Sequence, residues 1–161
     1  AEYQETSFRT VVPAAASDQR VLECGVLEKK PVYDLNDADY NTLLKIVEAE
    51  AGGEDENGKL LVANVVLNRV NSSIFPDTVT EVVYQREFGV CQFSPVIDGR
   101  INRVKVSEET KKAVERAIYG EDISQGALYF VARKAVAADK MQWFDRHLTR
   151  LFAYGGHEFF G

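Results

Sequence analysis

Three glutamates, Glu48, Glu50 and Glu54, fall within the run EAEAGGE. A carboxylic acid works as a general acid only if it keeps its proton near neutral pH, which requires apolar surroundings. Glu50 is the best placed of the three. It lies three residues beyond Val47 and one before Ala51, at the edge of a helical apolar stripe, whereas Glu48 falls toward the solvent side. Gly52 and Gly53 then leave room beside it for a substrate. The same spacing also suits three solvated charges at a helix end, so the motif alone leaves both readings open.

Other chemistries find less support. The histidines, His147 and His157, stand ten residues apart with no HExxH-like spacing, so neither a metal nor a cofactor is expected. Cys24 and Cys91 form no CxxC motif. They are either one disulfide, tying the amino-terminal arm to a binding loop, or two buried thiols. An unpaired Cys91 with His157 as base would suit a peptidase or amidase. Gln92 and Ser94 offer hydrogen bonds to a polar ligand, and Phe93, Tyr129 and Trp143 offer flat apolar faces to one. Each of these aromatic residues, like Phe130, equally suits a core. His157 beside a turn either braces the structure near the cleft or touches the ligand directly.

These groups must be held by a scaffold, and the periodicity predicts one. Asn36 or Asp37 caps a helix with Tyr40, Leu43, Leu44, Val47 and Ala51 on one face, ended by Gly52 and Gly53. A second helix, from about Asn57 to Val70, presents Leu61, Val62, Val65, Val66 and Val70 on one face. Asp77 caps a short third helix facing Val79, Val82 and Val83 inward. Gln85 to Ile101, with Gly89, Pro95 and Gly99, reads as irregular and suited to binding. Ser107 caps a fourth helix, with Glu108 and Glu109 at its positive end and Gly120 closing it.

Ala127 to Val131 is aromatic and β-branched, so it reads as a strand. In LFAYGGHEFF, Gly155 and Gly156 form a hairpin turn that pairs Tyr154 with His157 and Phe152 with Phe159. Several helices followed by a small antiparallel sheet near the carboxy terminus make an α+β fold, mainly helical. Residues 1–35 form a peripheral arm: Val11 to Ser17 is linker-like, and Val21 to Leu27 is apolar enough to dock.

The 161 residues suffice for one self-supporting core, and 45% hydrophobic with 27% charged residues is ordinary for a globular domain. A net charge of −6 with scattered basic residues argues against nucleic acid as partner. No apolar run reaches the roughly 18 residues of a membrane span. The first residues carry no export signal, so one is expected outside this sequence or not at all.

The run Glu50 to Val70 (EAGGEDENGKLLVANVVLNRV) followed by FPDTV at Phe75–Val79 resembles the SleB/CwlJ family of spore cortex-lytic and related cell-wall hydrolases. VVYQ at Val82–Gln85, QFS at Gln92–Ser94, GALYF at Gly126–Phe130, Trp143 with Phe144, and the closing Gly156, His157, Phe159 and Phe160 match in the same order. Together they span Leu44 to Phe160. The resemblance implies a lysozyme-like domain over residues 36–161 and a place outside the cytoplasm. It further implies peptidoglycan as the substrate, cut between N-acetylmuramic acid and N-acetylglucosamine by lytic transglycosylation. Glu50 occupies the place of the catalytic acid in the family's E-A-x-G-E motif, and Glu54 that of its second glutamate. Gly52 departs from the arginine often found at the x position. A non-catalytic wall-binding module on the same fold is the remaining alternative, and the retained glutamate opposes it.

Overall fold

The computed structural model of the protein describes residues 30–87 and 90–161. Helix α1, Asp37–Ala51, begins where Asn36 Oδ1 accepts from the Asp39 N–H at 2.8 Å, and Asp37 and Asp39 face the positive end of its dipole. Its buried side, Leu43, Leu44, Ile46, Val47 and Ala51, carries the predicted stripe.

Helix α2, Glu56–Val70, is capped by Asp55, whose Oδ1 accepts from the Gly58 N–H at 2.8 Å, so it starts one residue earlier than predicted. A single apolar face proves too narrow a description. Leu61 and Val65 join Ala127 and Phe159 in one cluster, while Leu60, Val62, Ala63, Val66 and Leu67 join the residues of α1 in another. A helix covered on both sides has to pair its polar groups. Asn64 Nδ2 donates to Glu121 O at 2.9 Å while its Oδ1 accepts from the Ile123 N–H, and Asn68 Nδ2 donates to Ala127 O at 2.9 Å. These bonds fasten the loop that leads into the sheet.

Helix α3, Val79–Val83, is capped by Thr78, not Asp77: Thr78 Oγ1 accepts from the Glu81 N–H at 3.1 Å, and Asp77 stands one residue too early to do so. The segment from Gln85 to Ile101 is more ordered than its composition suggests. Strands β1, Arg86–Glu87, and β2, Val90–Cys91, pair antiparallel. They are followed by α4, Ser94–Ile97, with Pro95 in its first turn, and by a 3₁₀ turn at Arg100–Asn102. Helix α5, Glu108–Ile118, has the predicted Ser107 cap, and Gly120 follows it at φ +102°.

The late sheet comprises β3, Tyr129–Val131, β4, Arg150–Tyr154, and β5, His157–Phe160, in the order β3-β5-β4, all antiparallel. Tyr154 pairs with His157 and Phe152 with Phe159, as the hairpin reading requires, with an irregularity between Arg150 and Phe152. Helix α6, Ala138–His147, precedes β4; Ala137 stands at its cap and supplies no side-chain bond, so the sequence carries no start signal for it. Adjacent residues of β5 face opposite sides: Phe159 meets α2, while Phe160 meets Val131, Met141 and Phe144. Arg133 ties α6 to the sheet by bonding Asp145 at 3.1 Å and Glu158 at 2.5 Å. The architecture is the predicted α+β one. No helix among the described residues is long and apolar enough to cross a membrane. The linker-like and apolar stretches before residue 30 and the pairing of Cys24 lie outside the described residues.

Candidate active site

The end of α1, the β1–β2 segment, β3 and α6 enclose a cavity of about 470 Å³. Five of the residues singled out from the sequence meet in its wall: Glu50, Gln92, Phe93, Tyr129 and Trp143. Phe93 is buried and also belongs to the helical core, so it forms floor more than rim. Trp143 is 46% exposed, and one face of its indole stacks on His147 at 4.8 Å.

Glu50 is half-buried, and that burial pushes its carboxyl up to about 7, against the pull of nearby Arg100 and Lys140 and with a small push from Asp98. An acid tuned there carries a proton for about half the molecules at neutral pH and can both give and take one. Several residues fix the helix end that bears it. Helix α1 has no basic residue in its last turn. Buried Lys59 of α2 supplies the missing positive charge, its Nζ donating to Glu54 O at 2.6 Å and Gly52 O at 3.4 Å and pairing with Glu109 at 3.0 Å. Arg100 Nη1 donates to Ala49 O at 3.3 Å, and its Nη2 donates to the Ser94 hydroxyl at 3.2 Å.

Glu48 is not a solvated charge. Its Oε1 accepts from the Ser107 N–H at 2.9 Å and from Thr110 Oγ1 at 2.7 Å, clamping α1 to the start of α5. Burial alone would raise its carboxyl, but these donations outweigh burial and hold it below the usual carboxylate range. Gly52 makes this possible, because a Cβ there would stand 2.7 Å from Glu48 Oε2.

Ser94, Glu54 and His157 do not line the cavity. Ser94 instead accepts from Arg100. Glu54 lies under the β4–β5 turn, where its carboxylate accepts from the Gly156 N–H at 3.3 Å, and the neighbouring Asp55 accepts from Tyr154 Oη at 2.7 Å. His157 is 9% exposed and packs edge-on against Phe130 at 5.3 Å; burial holds its pKa below the ordinary value, against the pull of Glu54. These residues anchor the sheet to the start of α2.

Sequence reasoning missed four polar residues in the cavity wall: Arg69, Gln85, Glu87 and Lys140. Arg69 reads as one more basic residue at the end of α2. A charge inside an otherwise apolar helical run was the available signal. Lys140 escaped notice because nothing marked α6.

A cell wall hydrolase family profile matches residues 53–160, beginning three residues after Glu50. The spore cortex-lytic enzymes of Oceanobacillus iheyensis and Bacillus subtilis are 39% and 38% identical to this chain over 92 residues, 57% of its length. The match takes in only 32% and 28% of those proteins, so the chain spans about a third of their length. Among solved structures, the catalytic domain of the germination-specific lytic transglycosylase SleB from Bacillus anthracis superposes with a TM-score of 0.67 and 31% identity, covering 79% of this chain and 97% of that one. The Bacillus cereus SleB catalytic domain gives 0.64 and 31%, covering 85% and 99%. By the profile, which takes in most of its length, and by these whole-domain superpositions, the chain belongs to the cell wall hydrolase family.

Proposed function

We propose that residues 36–161 form a catalytic domain that acts outside the cytoplasm on peptidoglycan. It cuts the glycan between N-acetylmuramic acid and N-acetylglucosamine as a lytic transglycosylase. The observation that carries this reading is Glu50, a carboxyl raised to about 7 by burial in the wall of an aromatic-lined cavity. Protonated Glu50 gives its proton to the glycosidic oxygen as the bond to the anomeric carbon breaks. The resulting carboxylate, favoured by Arg100 and Lys140, takes the proton of the muramic C6 hydroxyl. That oxygen closes on the anomeric carbon, leaving a 1,6-anhydro end and regenerating the acid. One carboxyl serves twice, so no second acid is required.

Glu87 in the same cavity wall supports a second reading, ordinary hydrolysis with Glu87 activating water. Mass spectrometry of muropeptides released from purified sacculi separates the two, since hydrolysis leaves reducing ends and the transglycosylase leaves anhydro ends. Glu50→Gln should lower release by about 10²- to 10⁴-fold while raising thermal stability near neutral pH, where the wild-type carboxyl is partly ionised in its buried place, and preserving sacculus binding. Anhydro-muropeptide release at the wild-type rate by that variant would refute the assignment. A cysteine peptidase is disfavoured by the burial of His157 away from the cavity, and Cys91→Ala is expected to leave activity intact.

A further inference from the structure

Arg69 lines the catalytic cavity with only 4% of its surface exposed and forms no ion pair among the described residues. Its guanidinium stands 4.7 Å from the ring centre of Phe75, 5.0 Å from that of Tyr129 and 5.2 Å from that of Phe93. Nε donates to Leu128 O at 2.7 Å, but Nη1 is buried without a hydrogen-bond partner. Gln85 Oε1, from another residue of the same wall, is also buried without one. A buried polar group left unpaired is costly, and a site that tolerates two of them is one in which a ligand can satisfy both.

The two groups are complementary, one a donor and the other an acceptor. A carboxylate would satisfy Arg69 and leave Gln85 Oε1 unmet. A secondary amide presents an acceptor oxygen and a donor N–H together. The aromatic rings around Arg69 suit a methyl group, which a sugar hydroxyl lacks. We propose that Arg69 and Gln85 read the 2-acetamido group of a sugar bound beside Glu50. Arg69 Nη1 donates to the acetamido carbonyl, the acetamido N–H donates to Gln85 Oε1, and the acetyl methyl lies against Phe75, Phe93 and Tyr129. Both atoms are closed to water in this structure, so the half-buried Gln85 side chain turns as the amide enters. This pair deepens the glycan-cleaving reading and rests on it.

The test crosses protein variants with substrate variants. Arg69 is enclosed by core rings, so Gln85→Leu and Gln85→Glu are the primary variants, with Arg69→Lys as a second probe. Each is assayed on sacculi, on chemically de-N-acetylated sacculi, and on sacculi stripped of stem peptides. Wild type is expected to favour the acetylated strand in kcat/KM, and Gln85→Leu to shrink that preference by about tenfold or more. Gln85→Glu, which offers a carboxylate to the exposed ammonium, should shift the preference toward the de-acetylated strand. A preference unchanged in both Gln85 variants overturns the proposal, as does a preference that follows the stem peptide in place of the acetyl group. Sedimentation of Glu50→Gln protein with the same strands keeps the two readings apart. Acetyl-dependent binding without any cleavage by wild type would refute the catalytic reading alone, whereas cleavage indifferent to the acetyl group would refute the amide reading alone.

Discussion

Glu48 and Glu50 stand two residues apart on α1 and are driven in opposite directions, one by donated hydrogen bonds and the other by burial. The raised carboxyl of Glu50 binds its proton more tightly in the folded protein than in the unfolded chain. Its contribution to stability is therefore complete below about 4.5 and is lost as pH rises through about 7. Glu50→Gln, which cannot ionise, should be progressively more stable than wild type between pH 5 and pH 8, by up to about 3 kcal/mol at the alkaline end. Thermal melts of both proteins across that range check it, and a constant difference would show that Glu50 titrates normally. By the same protonation, kcat/KM should fall above pH 7 as the acid form is lost. For Glu48 the sign reverses, because its stabilisation is present above its ordinary value and lost as pH falls. Glu48→Ala leaves the Ser107 N–H without its acceptor and is expected to cost about 1–3 kcal/mol at neutral pH, a loss that shrinks toward pH 3. Equal destabilisation at both pH values would argue for lost packing alone.

At the scale of elements, the closing hairpin is the part whose sequence and structure agree most closely, because two glycines between short apolar runs leave few alternatives. What the turn touches was hidden. Gly155 adopts φ +57°, and a Cβ there would overlap Glu54 Oε1. Gly155→Ala therefore adds left-handed strain and pushes aside the carboxylate that holds Gly156. A loss of about 1–2 kcal/mol is expected, read as a lower melting temperature. An unchanged melting temperature would mean that Glu54 moves away freely. Helix α1 was legible from its polar cap and one-sided apolar stripe, and α5 from its Ser107 cap, acidic first turn and closing Gly120. Helix α2 was legible as a helix but not as the central one, since its second covered side is defined by the distant residues Ala127 and Phe159. Helix α6 lacks a side-chain cap and buries only Met141 and Phe144, so neither signal was present.

For the whole molecule, residues 31–161 form one compact unit. With residues 1–35 proposed as a peripheral arm, a chain beginning at Pro31 is expected to unfold in a single cooperative thermal transition and to retain glycan cleavage. Loss of cooperativity by calorimetry would show that the arm belongs to the core. Caps, glycine turns and apolar periods act between neighbours along the chain, so the α+β class, the bounds of α1, α2 and α5, the hairpin register and the choice of Glu50 could all be read without the fold. The surroundings of the acid came from the fold alone. Arg100 is 50 positions from Glu50 in the chain and Lys140 is 90 away, and both pull on its carboxyl. Burial by such distant segments raises Glu50, while contacts of similar range lower Glu48 and draw Glu54 and His157 out of the cavity. Electrostatic environment depends on which segments fold together, and spacing within one segment cannot report it.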